Sequence, residues 1–418
     1  MKKKLLMILA LALAGVMLTS CAYLPYIGID PTAYTTGTEQ TATTAGETDD
    51  GDTVTISREE YERYKKLDSV LEVMDIVTSE YYEDVDETTM IRGAMSGVLS
   101  SMGDYYTFYY SPEEYEELWE DDEGEYAGIG IQISSSYLTG ISKVSRVFDG
   151  SPAEAAGVHR GDILYMVEDM YVTAYNIDDA VDIMRGTPGT SVHVVFLRGE
   201  EQVEMDIVRA TVSVNRVDSM MLADGVGYIY LYDFAGDCAT EFTTAANTLV
   251  EQGARGIIID LRDNGGGWVR DADTIADLFT DEGVLCYLEY KSGERYYYYT
   301  TDGKLDVELV VLVNENSASS SEILTGCLKD RTDATIVGVT TYGKGIVQSV
   351  VDLGENGGMQ LTIAQYYTPN GNAVHKTGIT PDVEIALPED DNGEYDFGDL
   401  TDPQLAKALE VMQEKLAQ

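Results

Sequence analysis

The stretch Val311-Leu312-Val313-Asn314-Glu315-Asn316-Ser317-Ala318-Ser319-Ser320-Ser321-Glu322-Ile323-Leu324 holds three kinds of local structure in fourteen residues. An apolar run ends at Val313, small and polar residues turn the chain, and a helical pattern begins near Ser320. A buried strand that turns directly into a helix is the unit of an α/β fold. Amides at the start of that helix lie at the positive end of its dipole, where negative charge developing on an oxygen is stabilised. The serines of such a turn are expected to point outward. Ser319-Ser320-Ser321-Glu322 also fits the S-x-x-E capping box. Cap and nucleophile are compatible roles, because Glu322 lies one turn from Ser319 on the same helix face.

Outward from this stretch the alternation continues. Gly227 to Tyr232, Gly256 to Leu261, Leu309 to Val313 and Ile336 to Val339 read as buried strands. Thr240 to Gln252, Arg270 to Phe279 and Asp402 to Leu416 read as helices. Downstream, Thr341-Tyr342-Gly343-Lys344-Gly345-Ile346-Val347-Gln348 sets one lysine between two glycines, with a glutamine four residues on. On an extended strand, residues 344, 346 and 348 share a face. A role that fits such a lysine is general base for a serine, the Ser-Lys form of triad logic. A lysine of ordinary pKa is neutral only about 0.04% of the time at pH 7. Burial that brings the pKa to about 7 leaves half of it neutral, roughly a thousandfold gain. Gln348 can hold the amine without adding charge, whereas a nearby carboxylate would push its pKa back up.

Between Tyr126 and Arg209 the pattern is one of short strands punctuated by Gly and Pro. Gly128-Ile129-Gly130-Ile131, Gly150-Ser151-Pro152-Ala153, Ala156-Gly157-Val158, Gly161-Asp162-Ile163-Leu164 and Arg185-Gly186-Thr187-Pro188-Gly189-Thr190 follow in order. Together they resemble a PDZ domain. That resemblance implies capture of a peptide as an added strand. The loop Gly128, Ile129, Gly130, Ile131 would offer its amides to a terminal carboxylate.

With these pieces on the page, the chain resembles the C-terminal processing peptidases, the carboxy-terminal proteases among the S41 serine peptidases. Asn314 to Glu322 matches the family pattern N-x-x-S-A-S-A-S-E, with Ser320 where Ala is usual. The resemblance implies that Ser319 is the nucleophile, Lys344 the base and Gln348 the third residue. Asp260-Leu261-Arg262-Asp263-Asn264-Gly265-Gly266-Gly267 resembles D-L-R-x-N-x-G-G. Its turn implies an oxyanion amide from Gly265 or Gly266, beside that of Ser320. Gly378-Ile379-Thr380-Pro381-Asp382-Val383 is similar to a further family signature. His375 precedes it, but Lys344 already fills the base role, so His375 is not expected to be catalytic. The implied fold is an α/β (α+β) protease core with an N-terminal helical segment and an inserted PDZ domain. No metal or organic cofactor is implied.

The N-terminus addresses the compartment. Lys2, Lys3 and Lys4 precede an apolar run from Leu5 to Leu18, too short for a membrane span and of signal-peptide form. Leu18-Thr19-Ser20-Cys21 resembles a bacterial lipobox, which implies acylation of Cys21 and a lipid anchor in the cell membrane. Ala22 to Ser57 carries no Lys or Arg and reads as a flexible acidic tether. Over the whole chain, 27 Lys+Arg against 74 Asp+Glu give −47. Removing three lysines with the leader makes this 24 − 74 = −50. Nucleic acids are excluded as main partners, since phosphate binding needs basic stripes. Cys238, Cys286 and Cys327 show no disulfide framework.

The expected organisation is a leader over 1–20, tether 21–57, helical region 58–124, PDZ domain 125–210, protease core 211–390 and acidic segment with terminal helix 391–418. The expected activity is extracytoplasmic endoproteolysis of proteins with accessible C-termini, by a tethered enzyme on the bacterial cell membrane or in the periplasm. The resemblance allows a homo-oligomer. The alternative is a catalytically silent PDZ adaptor, which should lack one member of the Ser-Lys pair; this chain has both.

Overall fold

The computed structural model describes residues 55–199, 201–223, 225–301, 303–388, 395 and 397–417. The leader, Cys21 and nearly all of the tether lie outside the described residues. By contacts the chain divides into two units, Glu116–Gln348 with Ile363–Gln418, and a second that joins the helical region up to Tyr115 to Ser349–Thr362.

In the second unit, α1 (Arg58–Tyr64), a 3-10 turn, α2 (Asp68–Glu80) and α3 (Glu87–Ser100) precede β1 (Phe108–Tyr110). Ser57 caps α1 with a full capping box to Glu60, and Asp86 caps α3 through Thr89. No helix among the described residues is long and apolar enough to cross a membrane.

The first unit starts at Glu116 within α4 (Pro112–Glu123), which leads into β2 (Glu125–Gly128). Then come β3 (Ile131–Ser136), β4 (Ile141–Val147), α5 (Pro152–Ala156), β5 (Ile163–Val167), β6 (Met170–Tyr171), α6 (Ile177–Met184), β7 (Ser191–Arg198) and β8 (Glu201–Val208). The sheet order is β3-β4-β5-β7-β8, with β6 on β5, so β3 is an edge strand. Its core is formed by Val144, Leu164, Val192, Val194 and Phe196 against Ala180 and Met184 of α6. Strand β9 (Ala210–Ser213) pairs antiparallel with β2, bringing the ends of this domain together.

The central α/β layer follows: β10 (Val217–Met221), β11 (Val226–Leu231), α7 (Cys238–Glu251), β12 (Gly256–Asp260), α8 (Val269–Asp277), β13 (Gly283–Tyr290), β14 (Arg295–Thr300), β15 (Glu308–Val313), α9 (Ser320–Arg331) and β16 (Thr335–Gly338). Strands β17 (Ile346–Asp352), β18 (Gly358–Tyr367) and β19 (Val383–Glu384) and helix α10 (Pro403–Leu416) complete it. The central sheet runs β10-β11-β12-β15-β16-β19, parallel except at β10. Alternate residues enter two separate cores. Ile257, Ile259, Leu309, Val311 and Val313 face α7, α8 and α9. Ile258, Val310 and Leu312 face α10 through Leu405, Ala408, Leu409 and Met412. Burial on both faces is why these strands read as continuous apolar runs.

Candidate active site

The carboxyl ends of neighbouring parallel strands β12 and β15 bring residues 261–267 and 314–321 together, as expected for a site in an open α/β sheet. The two turns are laced by short bonds. The Asp263 amide donates to Asn314 Oδ1 at 2.9 Å, and Asn314 Nδ2 returns a bond to Asp263 Oδ1 at 2.8 Å. Ser317 Oγ donates to the Leu261 carbonyl at 2.7 Å, and Ser321 Oγ to the Asn264 carbonyl at 2.8 Å. Gly266 has φ 104°, and a Cβ there would sit 2.7 Å from Ser319 Cβ. Only glycine permits that approach.

Ser319 precedes α9 in a left-handed conformation, φ 58° and ψ −116°. A non-glycine residue held there stores strain on the order of 1–3 kcal/mol, a feature that clusters at functional sites. Its amide donates to Glu322 Oε2 at 3.0 Å, while its buried Oγ has no hydrogen-bond partner. The expected capping box with Glu322 is present, and within it the hydroxyl makes no hydrogen bond of good geometry. The serines do not point outward either. Ser319, Ser320 and Ser321 are all 0% exposed, with the turn after β12 and Tyr366 of β18 bonded against them.

Lys344 was expected on a strand face with Gln348. The structure places it in the loop before β17, which begins at Ile346. Its flanking glycines have a packing reason. A Cβ on Gly345 would meet the His375 amide at 2.1 Å, and one on Gly343 the Gly378 amide at 3.0 Å. The segment around His375 thus lies against the lysine loop through its backbone. Lys344 is 4% exposed and Gln348 is fully buried.

Sequence reasoning missed what joins the two segments. Glu322 Oε1 accepts from Thr341 Oγ1 at 2.5 Å and from the Gly343 amide at 2.7 Å. Its Oε2 accepts from the Ser319 amide and, at 2.8 Å, from the Lys344 amide. Burial pushes the Glu322 carboxyl above its usual range, opposed by these four donors. Tyr366 of β18 adds a second joint: its hydroxyl donates to the Ser319 carbonyl and its amide to the Gly345 carbonyl, both at 3.1 Å. One aromatic in an alternating strand carries no signal of this.

The glycine turn differs in detail from expectation. The Gly266 amide donates to Asn264 Oδ1 at 2.9 Å, so that donor is engaged in this structure. Ser320, where an amide alone was expected to matter, also donates its hydroxyl to the Gly267 carbonyl at 2.8 Å. Asp260 and Arg262 serve architecture: Arg262 pairs with Asp260 at 2.6 Å and with Asp402 at 2.7 Å, fastening α10 to the sheet.

The same turn reaches toward the PDZ-like domain. Phe234 donates its amide to the Gly266 carbonyl at 2.9 Å and accepts from the Trp268 amide at 2.7 Å. Two residues earlier, the Tyr232 ring lies 3.4 Å below the Arg146 guanidinium at the end of β4.

Comparison with known proteins accords with this geometry. Residues 225–385 match the model of peptidase family S41, 143–198 a PDZ domain, and 21–114 the N-terminal domain of the activating protease CtpB. The carboxy-terminal processing protease CtpA of Bacillus subtilis is 33% identical over 78% of this chain and 70% of its own length. The chain belongs to the carboxy-terminal processing peptidases of family S41. The carboxyl-terminal-processing protease of Synechocystis is 34% identical, covering 76% of each chain. Among solved structures, a photosystem II D1 C-terminal processing protease superposes with a TM-score of 0.52 at 28% identity, over 80% of this chain and 96% of its own. This processing peptidase is therefore a serine-type hydrolase with a PDZ domain and a mixed α/β core.

Proposed function

We propose that this peptidase is a membrane-tethered, extracytoplasmic endopeptidase that uses a Ser319-Lys344 dyad and selects substrates by their C-terminal tails. The observation that carries the dyad is the uncommitted, buried Ser319 Oγ on a strained turn, with its backbone bonded to the same carboxylate as that of Lys344. Neutral Lys344 takes the Ser319 hydroxyl proton as Oγ attacks the scissile carbonyl carbon. The resulting ammonium then protonates the leaving amine, and an acyl-enzyme remains. Water, deprotonated by Lys344, attacks the ester carbonyl; the C–Oγ bond breaks, and the lysine ammonium returns its proton to Ser319 Oγ. Gln348 orients the lysine. The amides of Gly265, Gly266 and Ser320 are the candidate oxyanion donors, and Gly266 serves once Asn264 releases it.

Edge strand β3, which begins at Ile131 after Gly128, Ile129 and Gly130, is the proposed seat of the substrate tail, added as a further strand. The buried Ser319, Lys344 and Gln348 mean that substrate entry requires movement around the site. The chain of contacts from Arg146 through Tyr232 and Phe234 to the glycine turn supports a PDZ domain that also gates activity. Cys21 is the proposed lipid anchor, and a homo-oligomer is compatible with the family.

Ser319→Ala and Lys344→Ala in the purified chain should each lower kcat by about four orders of magnitude while sparing fold and tail binding. Lys344→Arg should be as inactive, because arginine stays protonated. Turnover retained in Lys344→Ala would remove the dyad. Absence of fluorophosphonate labelling at Ser319 under turnover conditions would favour the silent adaptor.

A further inference from the structure

We propose that Glu322 is a positioning residue whose carboxylate sets the nucleophile segment against the base segment. The proposal rests on the Ser319-Lys344 reading and assigns a device that neither dyad residue supplies. Ser319 follows β15, and Lys344 lies beyond β16, in separate turns with no covalent reason to hold a fixed separation. Glu322 bonds to both. Its four acceptor bonds come from the Ser319 amide on one side and from Thr341, Gly343 and Lys344 on the other. Oε2 alone receives the amides of the two dyad residues.

The chemistry of the donors requires a carboxylate. All four partners donate, and each oxygen takes two. A protonated acid would place its own hydrogen against a donor. Thr341 cannot easily reverse its hydroxyl, because that oxygen already accepts from the Ile379 amide at 2.7 Å. Glutamine is therefore a poor substitute despite its shape. Whichever way its amide turns, an NH₂ faces at least one backbone N–H. Aspartate is a methylene shorter and cannot span both segments.

The conformation of Ser319 gives the clamp a second consequence. The Ser319 amide donates to Glu322 Oε2, and the Glu322 amide returns a bond to the Ser319 carbonyl at 2.8 Å. The uncommitted Oγ and the clamp are two sides of one backbone geometry. Glu322 touches neither Oγ nor the scissile bond, and its effect is on the placement of both groups.

The test uses the purified chain, a peptide substrate, a fluorophosphonate probe, thermal melting and tail-peptide binding. Glu322→Gln should lower kcat by about 100-fold, the size expected when reacting groups move by about 1 Å. KM and tail affinity should stay within about twofold, and the fluorophosphonate labelling rate should fall in step with kcat. Thr341→Val removes one of the four donors and should lower kcat less, by roughly three- to tenfold, with KM unchanged. Thr341→Val carries the test should Glu322→Gln not fold. Near-parental kcat in the folded variants would overturn the proposal, as would a kcat loss that merely tracks melting temperature and tail affinity. If Lys344→Ala is silent and Glu322→Gln is fully active, only the positioning proposal falls. If Lys344→Ala keeps turnover, both fall.

Discussion

At Gly266 a single methyl group decides whether two turns can meet. A Cβ there would lie 2.7 Å from Ser319 Cβ and 2.8 Å from the Ala318 carbonyl, at a φ of 104° that side chains rarely adopt. Gly266→Ala should therefore push the glycine turn away from Ser319. The expected outcome is a kcat loss of at least about tenfold, with KM little changed, measured on the same peptide substrate used for the dyad variants. The site is built from backbone groups, so substitutions that alter backbone placement should matter as much as those that remove a side chain. A variant with parental kcat would show that the turn does not need to approach Ser319.

At the scale of elements, α8 carries a half-buried carboxylate with a measurable signature. Burial, with Asp277 adding to it, pushes the Asp273 carboxyl up to about 7, and its Oδ1 is buried without a partner. In the unfolded chain an aspartate titrates near 3.9, so between about pH 4 and pH 7 the folded state holds a proton that the unfolded state has lost. The folded state binds more protons there, and stability falls as pH rises through that window. Asp273→Asn should remove this dependence. Its melting temperature should exceed the parental one above pH 7 and converge with it toward pH 4; a constant difference across the range would contradict the assignment.

At the scale of the molecule, the PDZ domain and the protease core share the contact from Arg146 to Tyr232, two residues before the segment that holds the glycine turn. Removal of residues 129–209 leaves ends that already pair, since Gly128 lies opposite Ala210. The deletion should abolish stimulation of cleavage by a C-terminal tail peptide. Because coupling between sites is reciprocal, a reversible active-site inhibitor should tighten tail-peptide binding to the intact chain by the factor with which the peptide tightens inhibitor binding. Unchanged stimulation in the deletion would show that the domain does not gate.

The strands around Ile258 and Val311, the helix after Ser319 and the three family motifs were legible from local pattern, because periodicity, turn chemistry and motif spacing are properties of contiguous residues. The family of the enzyme was likewise written in the motifs around Ser319, Lys344 and Gly265 to Gly267. Tertiary structure alone decided that the serine turn is buried, that Lys344 sits in a loop, that Gly266 is engaged by Asn264, and that α10 covers the second face of the sheet. It alone turned Glu322 from a cap into a joint. Those outcomes depend on groups far apart in the chain competing for the same donors and the same space, and no local pattern records which of them wins.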